Sequence, residues 1–450
     1  MDIDFKKLVK PYEKEALETM CDLVKINSVY DEHTSSAEMP YGIGVNTALT
    51  FMKNIASKYG LKANIIGGRA IEIMFGNSGQ EVGIFGHLDV VPVSGVWRFP
   101  PFSATSADGK IFGRGTSDDK GPLIASFFAV IALYQNGLID DYKVRIVAGG
   151  DEERGSSCLE YYFNVAKKSH VDCGFTPDGD FPLIYGEKGI TNYTLRGKID
   201  LGTEIISIKA GDAPNIVIPR ADVVVRNTED FVAYLNEKKV KFEVKDNVIS
   251  FIGKAAHGSL PQNGINAGLI ALSCLGDFYK NDVLTLLANQ YLDGDGKFLN
   301  EFYSSKNLGE TTYNAGIINY NGKILEMIIN FRFPETVNAK NVIEKIQQKS
   351  PLPIFVGDIS KVLYFEPDDI MVQTLFKAYQ EETGDYKNPI KTIGGGTYAK
   401  EAKNILAFGS AFPGRVDNIH DVDEKINLED FYKSMYIYAR GIYDLGKMKR

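Results

Sequence analysis

The chain has 450 residues, of which 44% are hydrophobic and 24% charged, with a formal net charge of −8. That composition belongs to a soluble globular protein of two or more domains, and its acidic balance argues against a general nucleic-acid binder, which needs a basic surface to displace counterions. The N-terminal MDIDFKKLVKPYEKEALETM is too charged for a signal peptide and no run of 18 apolar residues occurs, so no membrane association and a cytoplasmic location are expected.

Leu8, Val9, Tyr12, Ala16, Leu17, Met20, Leu23 and Val24 recur at helical spacing and predict a first helix. A second is expected from Asn46 to Tyr59, stopped by Gly60. Short β-rich runs follow at Ile71–Phe75, Val82–Phe85, Lys143–Ala148 and Val171–Thr176. Between them lies a strongly apolar helix, Gly121 to Gln135, ended by Asn136-Gly137. Strands alternating with helices indicate an α/β domain with a mostly parallel sheet. The rhythm changes after about Gly186. A hairpin is expected from Val240–Val244 and Val248–Ile252, helices at Asp230–Glu237, Asn266–Tyr279 and Lys340–Gln348, and a strand at Ile324–Phe333. This α+β pattern implies an inserted domain over 187–390. The first domain, over 1–186, resumes at 391–450 with Gly-rich loops, an apolar strand (Ile405–Phe408) and a closing helix, Leu428 to Leu445.

Only five histidines occur, and four cysteines, Cys21, Cys158, Cys173 and Cys274. The cysteines have no short spacing and read as buried thiols in a reducing compartment, so any metal must be held by histidine and carboxylate. His87 sits in IFGHLDVVP directly after an apolar strand, where α/β proteins bind ligands. Asp89, two residues on, is placed to accept the second ring N–H and fix the tautomer. GRGTSDDKGP holds Asp118 and Asp119 just before the apolar helix, where carboxylates also serve as caps. AGGDEERG places Asp151, Glu152 and Glu153 after another strand; three adjacent acids repel unless a cation or shared proton relieves them. Asp178 in FTPDGDFP follows a fourth strand and equally suits a simple turn. His420 lies in VDNIHDVDEKI, flanked by Asp417, Asp421, Asp423 and Glu424. Each motif alone has an ordinary explanation. Together, His87, Asp118, Glu153, Asp178 and His420 make a ligand set for two metals bridged by Asp118, with a shared water completing four-coordination. Two metals bring +4 and three carboxylates −3, leaving one positive charge for a hydroxide to close.

The ordered series H-x-D, G-R-G-x-x-D-D-K-G, D-E-E, P-D-G and H-x-x-D-E resembles the aminoacylase, acetylornithine deacetylase and carboxypeptidase group of dinuclear metallopeptidases, peptidase family M20. Within it, GHLDVVP, GRGTSDDKGP, GGDEERG and TPDGDFP look most like the PepV-type dipeptidases. The resemblance implies a zinc-exopeptidase-like catalytic domain carrying an inserted lid, and hydrolysis of dipeptides by a di-metal-activated water. It assigns His87, Asp118 and Asp178 to one metal and Asp118, Glu153 and His420 to the other. Glu152 becomes the general base, Asp89 the residue orienting His87, and the Asp118–Asp119 peptide is expected to be cis. In the lid, His257 of KAAHGSLP is implied to contact the substrate carbonyl or oxyanion. Asn215 and Arg332 are implied substrate contacts, and Gly395 marks a Gly-rich substrate loop. Two zinc ions are the expected cofactors, with manganese or cobalt compatible with the same ligands. The expected partner is a small peptide, and the chain is expected to act as a monomer. The alternative function is deacylation of N-acyl amino acids. Arg154 departs from the pattern, standing where a small residue is expected, and reads as an ion-pair partner beside the site. His33 and His170 match no motif and read as surface residues.

Overall fold

A computed structural model describes residues 3–448. The chain divides into two compact units. One comprises 1–185, 365–391 and 397–450; the other comprises 186–364 and 392–396.

The first unit is built on a mixed sheet. Six of its nine strands run in the order Lys62–Ile66, Ala70–Phe75, Tyr142–Gly149, Gln80–His87, Cys173–Thr176, Ile405–Ala407. The pairings Gln80–His87 with Tyr142–Gly149, Gln80–His87 with Cys173–Thr176, and Cys173–Thr176 with Ile405–Ala407 are parallel. Antiparallel pairing enters through the hairpin Lys62–Ile66/Ala70–Phe75 and its junction with Tyr142–Gly149. The mostly parallel sheet expected from strand–helix alternation is therefore present at the centre. These central strands are near-continuous apolar runs, as burial on both faces demands.

Helix Lys120–Gln135 is buried from Lys120 to Leu133. Its sequence is apolar all round because it lies between other helices, packing on Glu13–Val24 and on the closing helix Leu428–Lys447. The closing helix presents Phe431, Met435, Tyr438, Ile442 and Leu445 to the interior. The first expected helix is in fact broken. Phe5–Val9 and Glu13–Val24 flank a 3₁₀ turn at Lys10–Tyr12, where Pro11 lacks the amide proton a continuous helix requires. Among the described residues, no helix is long and apolar enough to cross a membrane.

The second unit carries an antiparallel sheet in the order Phe242–Lys245, Val248–Ile252, Arg220–Val225, Ile205–Ala210, Thr312–Tyr320, Ile324–Phe333, Gly189–Lys198, Ile354–Ile359. The hairpin turn places Asp246 and Asn247 at φ 48° and 64°, the left-handed pair that matches strand twist. Helices Thr228–Glu237, Ala267–Tyr279, Asp282–Tyr291 and Ala339–Lys349 share its core through residues such as Phe231, Leu272, Leu287 and Ile343.

Residues 365–390, which the sequence pattern assigns to the insertion, belong to the first unit. The reason is helix Ile370–Thr383, capped by Asp369 and ended by Gly384 at φ 70°. It packs on the closing helix so closely that a Cβ on Gly441 would meet Leu375 at 2.9 Å.

Phe127 is fully buried in helix Lys120–Gln135, its ring 6.1 Å from Phe75 and 5.4 Å from Phe128. Phe127→Ala is expected to destabilise the first unit by about 3–5 kcal/mol. Urea titration followed by circular dichroism checks this; a midpoint unchanged from the parent would contradict the packing described.

Candidate metal centre

Parallel strands end together at their carboxyl edge, and the residues that follow them share one crevice. His87 ends strand Gln80–His87, in register with Gly149 of its parallel neighbour. Asp151, Glu152 and Glu153 follow that neighbour, and Asp178 lies two residues beyond Cys173–Thr176. Asp118 and Asp119 immediately precede helix Lys120–Gln135, joined by a cis peptide as the resemblance implies. His420 arrives on the loop between Ile405–Ala407 and Lys425–Asn427.

These side chains converge. Asp118 lies between two imidazoles: Oδ1 is 2.8 Å from His87 Nε2, and Oδ2 is 2.8 Å from His420 Nε2. His87 Nε2 is also 3.8 Å from Asp178, and His420 Nε2 is 3.2 Å from Glu153. Donor atoms of His87, Asp118 and Glu153 lie within 4.8 Å of one another, as do those of His87, Glu152 and Asp178.

Crowded acids in a buried crevice make the electrostatics severe. Burial pushes the Glu152 carboxyl well above its ordinary range, and Asp178, Glu153 and Asp118 add to the rise. Glu153 is raised too, first by burial and then by Asp118. Asp118 moves the other way: burial opposes ionisation, but hydrogen bonds from His420 and His87 together outweigh it and hold the carboxyl low. Burial alone pulls both imidazoles toward neutrality; their carboxylate partners prevail, raising His87 strongly and His420 to about 11. The two imidazolium groups here do the work of cations among repelling carboxylates. Nitrogen and carboxylate donors in this arrangement suit a divalent metal pair.

The crevice is held from behind. The His87 Nδ1 atom faces the backbone carbonyl of Asp89 at 2.9 Å, while the Asp89 carboxylate stands 3.6 Å away. The carboxylate instead accepts the backbone N–H groups of Glu152 and Glu153, each at 3.1 Å. The sequence reading had the carboxylate taking the ring proton; the turn after the strand brings the carbonyl closer and turns the side chain to the acidic triplet. Asp119 Oδ2 accepts the His87 backbone N–H at 3.1 Å. Lys120 is fully buried, its ammonium donating to the carbonyls of Ile26 (2.7 Å) and Leu23 (3.3 Å). The ring of Tyr398 meets His87 edge-on at 6.1 Å, and its hydroxyl touches the Cys158 thiol at 2.9 Å. Arg154 does not form the expected ion pair among the described residues; its guanidinium lies over the Tyr30 ring, 3.4 Å from the centroid, a cation–π contact available because the side chain points to solvent. His33 and His170 are both exposed.

The four candidates outside this crevice belong to the second unit and gather in one neighbourhood of it. The Asn215 carbonyl accepts the Gly258 N–H at 2.7 Å, beside His257, whose Nδ1 lies 2.6 Å from the Ser259 hydroxyl. A Cβ on Gly394 would meet Ser259 at 2.7 Å, and the Gly394 carbonyl accepts from Arg332 Nη1 at 2.6 Å. Gly395 follows in the same loop. Arg332 is buried, and burial lowers its pKa to about 10.

Residues 83–444 match peptidase family M20/M25/M40. The chain belongs to this family. A Bacillus subtilis relative named "Putative dipeptidase YtjP" is 33% identical over 95% of this chain and 96% of its own. A Staphylococcus haemolyticus protein with the name "Putative dipeptidase SH1171" is 34% identical over 98% of this chain and 99% of its own. Among solved structures, human carnosine dipeptidase 1 superposes with a TM-score of 0.61 at 15% identity, covering 99% of this chain and 98% of its own. The M20 metallo-carboxypeptidase Sso-CP2 of Sulfolobus solfataricus gives 0.62 at 18% identity, covering 96% and 100%. The two structures share the M20 fold with this chain.

The half-exposed His420 yields a pH prediction for metal-free M20 protein. Its folded pKa lies above the unfolded value of about 6.5, so its contribution to stability is fully present below that value and lost as pH rises through about 11. Histidine NMR titration is expected to show the His420 ring still protonated at pH 9. A ring that titrates near neutrality would contradict the carboxylate contacts.

Proposed function

We propose that this M20 peptidase hydrolyses dipeptides at a two-cation centre, with His87, Asp118 and Asp178 holding one ion and Asp118, Glu153 and His420 the other. The observation that carries this reading is Asp118, whose two carboxylate oxygens each meet a different imidazole at 2.8 Å. A bridging carboxylate needs that disposition, and the residues completing each set lie beside the corresponding imidazole. When bound, divalent cations supply electrostatic stabilisation of developing negative charge and acidify water. Zinc is the proposed pair; manganese and cobalt accept the same donors.

Glu152 acts as the general base. It takes a proton from the attacking water as the C–O bond forms, then delivers it to the leaving amine as the C–N bond breaks. Burial and neighbouring acids raise its pKa, which suits a carboxylate that must hold a proton between the two transfers. Asp89 fixes the backbone amides of Glu152 and Glu153 while its carbonyl sets the His87 ring. His257, Asn215, Arg332 and Gly395 form the substrate-binding face of the second unit, the lid. On this reading His257 is a hydrogen-bond donor for a substrate carbonyl oxygen, and Arg332 offers a cation for a terminal carboxylate.

Relatives named as dipeptidases at 33% and 34% identity over nearly the whole chain support a dipeptide substrate, and deacylation of N-acyl amino acids is not favoured. Cys158, Cys173 and Cys274 are buried thiols outside any disulfide, in keeping with action in the cytoplasm. A single chain carries every residue invoked, and a monomer is proposed as the active form.

The test is a paired substitution. Glu152→Ala is expected to retain metal by elemental analysis and lose ~10²–10⁴ in kcat on a dipeptide panel, whereas Asp118→Ala is expected to lose metal as well. Full turnover by Glu152→Ala sinks the base assignment. Faster cleavage of N-acyl amino acids than of dipeptides by the unaltered chain sinks the substrate assignment.

A further inference from the structure

Asp118 and His420 reach each other from segments 302 positions apart in sequence, and neither sits within a regular element. Both loops are conformationally costly. Asn418, His420 and Asp423 have φ of 55°, 62° and 58°, left-handed values that persist only where surroundings over-determine them. On the other side, Gly115 has φ +91°, and a Cβ there would meet Lys120 and Val90 at 3.0 Å. This curl aims successive backbone N–H groups at one point, an arrangement that favours an anion.

The anion at that point is Glu424, which is completely buried. Its Oε1 accepts the N–H groups of Gly115 (2.9 Å), Ser117 (3.0 Å) and Asp118 itself (3.3 Å). Its Oε2 accepts from Arg114 Nη1 at 2.7 Å. The backbone joins in: the Glu424 carbonyl accepts the Gly113 N–H at 2.9 Å, and the Lys425 carbonyl accepts from the Ser117 hydroxyl at 2.8 Å. Strand Lys425–Asn427 then pairs with Lys110–Phe112. One carboxylate thus ties the His420 loop to the Asp118 loop from behind the crevice.

We propose that Glu424 is a positioning residue that sets the distance between Asp118 and His420, and with it the fit of the shared carboxylate to both ions. The inference rests on the two-cation reading above. Glu424 touches neither substrate nor metal; it acts through the backbone of Asp118. All four of its side-chain partners are donors, so the site is built for a side chain that only accepts. A neutral amide turns an N–H₂ group against either Arg114 or the three backbone N–H groups, and the loop must shift.

The test measures metal rather than turnover. Purified full-length Glu424→Gln and Glu424→Asp chains are stripped, refilled with Zn²⁺ against a competing chelator, and separately loaded with Co²⁺ for visible absorption. Glu424→Gln is expected to bind zinc about 10–100-fold more weakly and to show an altered cobalt spectrum, while circular dichroism stays that of the parent. Glu424→Asp keeps the charge but falls short of the loop, and is expected to weaken binding less. Parent-like zinc affinity and cobalt spectrum in either folded variant overturn the proposal. Loss of fold in both variants also overturns it, by assigning Glu424 a purely structural role. A parent chain that takes up no metal instead overturns the two-cation reading, so the two failures are distinguishable.

Discussion

Acidic side chains brought together in a buried crevice repel, and the way this repulsion is met governs the first unit. Asp118, Glu152, Glu153 and Asp178 all bear on His87 or His420 within 4.8 Å or less. At an effective dielectric of 20, two like charges 4 Å apart cost about 4 kcal/mol, so several such pairs exceed what a marginally stable fold tolerates. Protons on two imidazoles relieve part of this, drawing the Asp118 carboxyl down while burial drives Glu152 up. Divalent cations relieve it more completely and displace those protons. Affinity for metal and distribution of protons are therefore one property, and both are set by how closely the carboxylates are held.

Holding them is the task of backbone amides. Asp89 gathers the N–H groups of Glu152 and Glu153, Asp119 takes that of His87, and Glu424 gathers those of Gly115, Ser117 and Asp118. In each case a buried carboxylate accepts main-chain N–H groups, and Glu424 takes the Arg114 guanidinium as well. Such bonds are charge-assisted and directional, and they fix loops that carry no regular structure. Removing one partner of a buried pair such as Arg114–Glu424 typically costs about 3–5 kcal/mol, since a bare charge remains.

The central strands and the helix Lys120–Gln135 were legible in the sequence because burial leaves them predominantly apolar, with few charged residues such as Glu81 and Arg145 in the strands. The residues of the crevice were legible because three motifs of acids and histidines stand at or directly after apolar strands and a fourth opens the adjoining helix, a recurrence with few ordinary explanations. What escaped was of another kind. Helices Asp282–Tyr291 and Ile370–Thr383 carry clear caps, Asn281 and Asp369, but their apolar stripes are short and merged with surrounding loops. The re-entry of 365–390 into the first unit depends on which surface Leu375 finds, here the notch at Gly441; periodicity reports that a face is apolar, never its partner. Asp89 was legible as the partner of His87, but spacing does not show that its carbonyl, at 2.9 Å, stands nearer the ring than its carboxylate, at 3.6 Å. Arg154 was read as a charge when its ring contact decides its place.

Glu424 shows where such reading stops. It stands four residues after His420 and was visible as one acid among several flanking that histidine. Of those neighbours, Asp421 is exposed, Asp417 and Asp423 are half-buried, and Glu424 alone is fully buried. Nothing in the spacing distinguishes them, since the distinction is made by Gly115, whose positive φ turns a distant loop's amides toward this one carboxylate. A metal ligand announces itself by residue type. A residue that positions a ligand is defined by donors 306 to 309 positions away in sequence, and only the folded chain brings them within reach. The M20 crevice therefore has two codes: a local one of histidines and acids after apolar strands, and a non-local one of amide clusters that fixes their spacing.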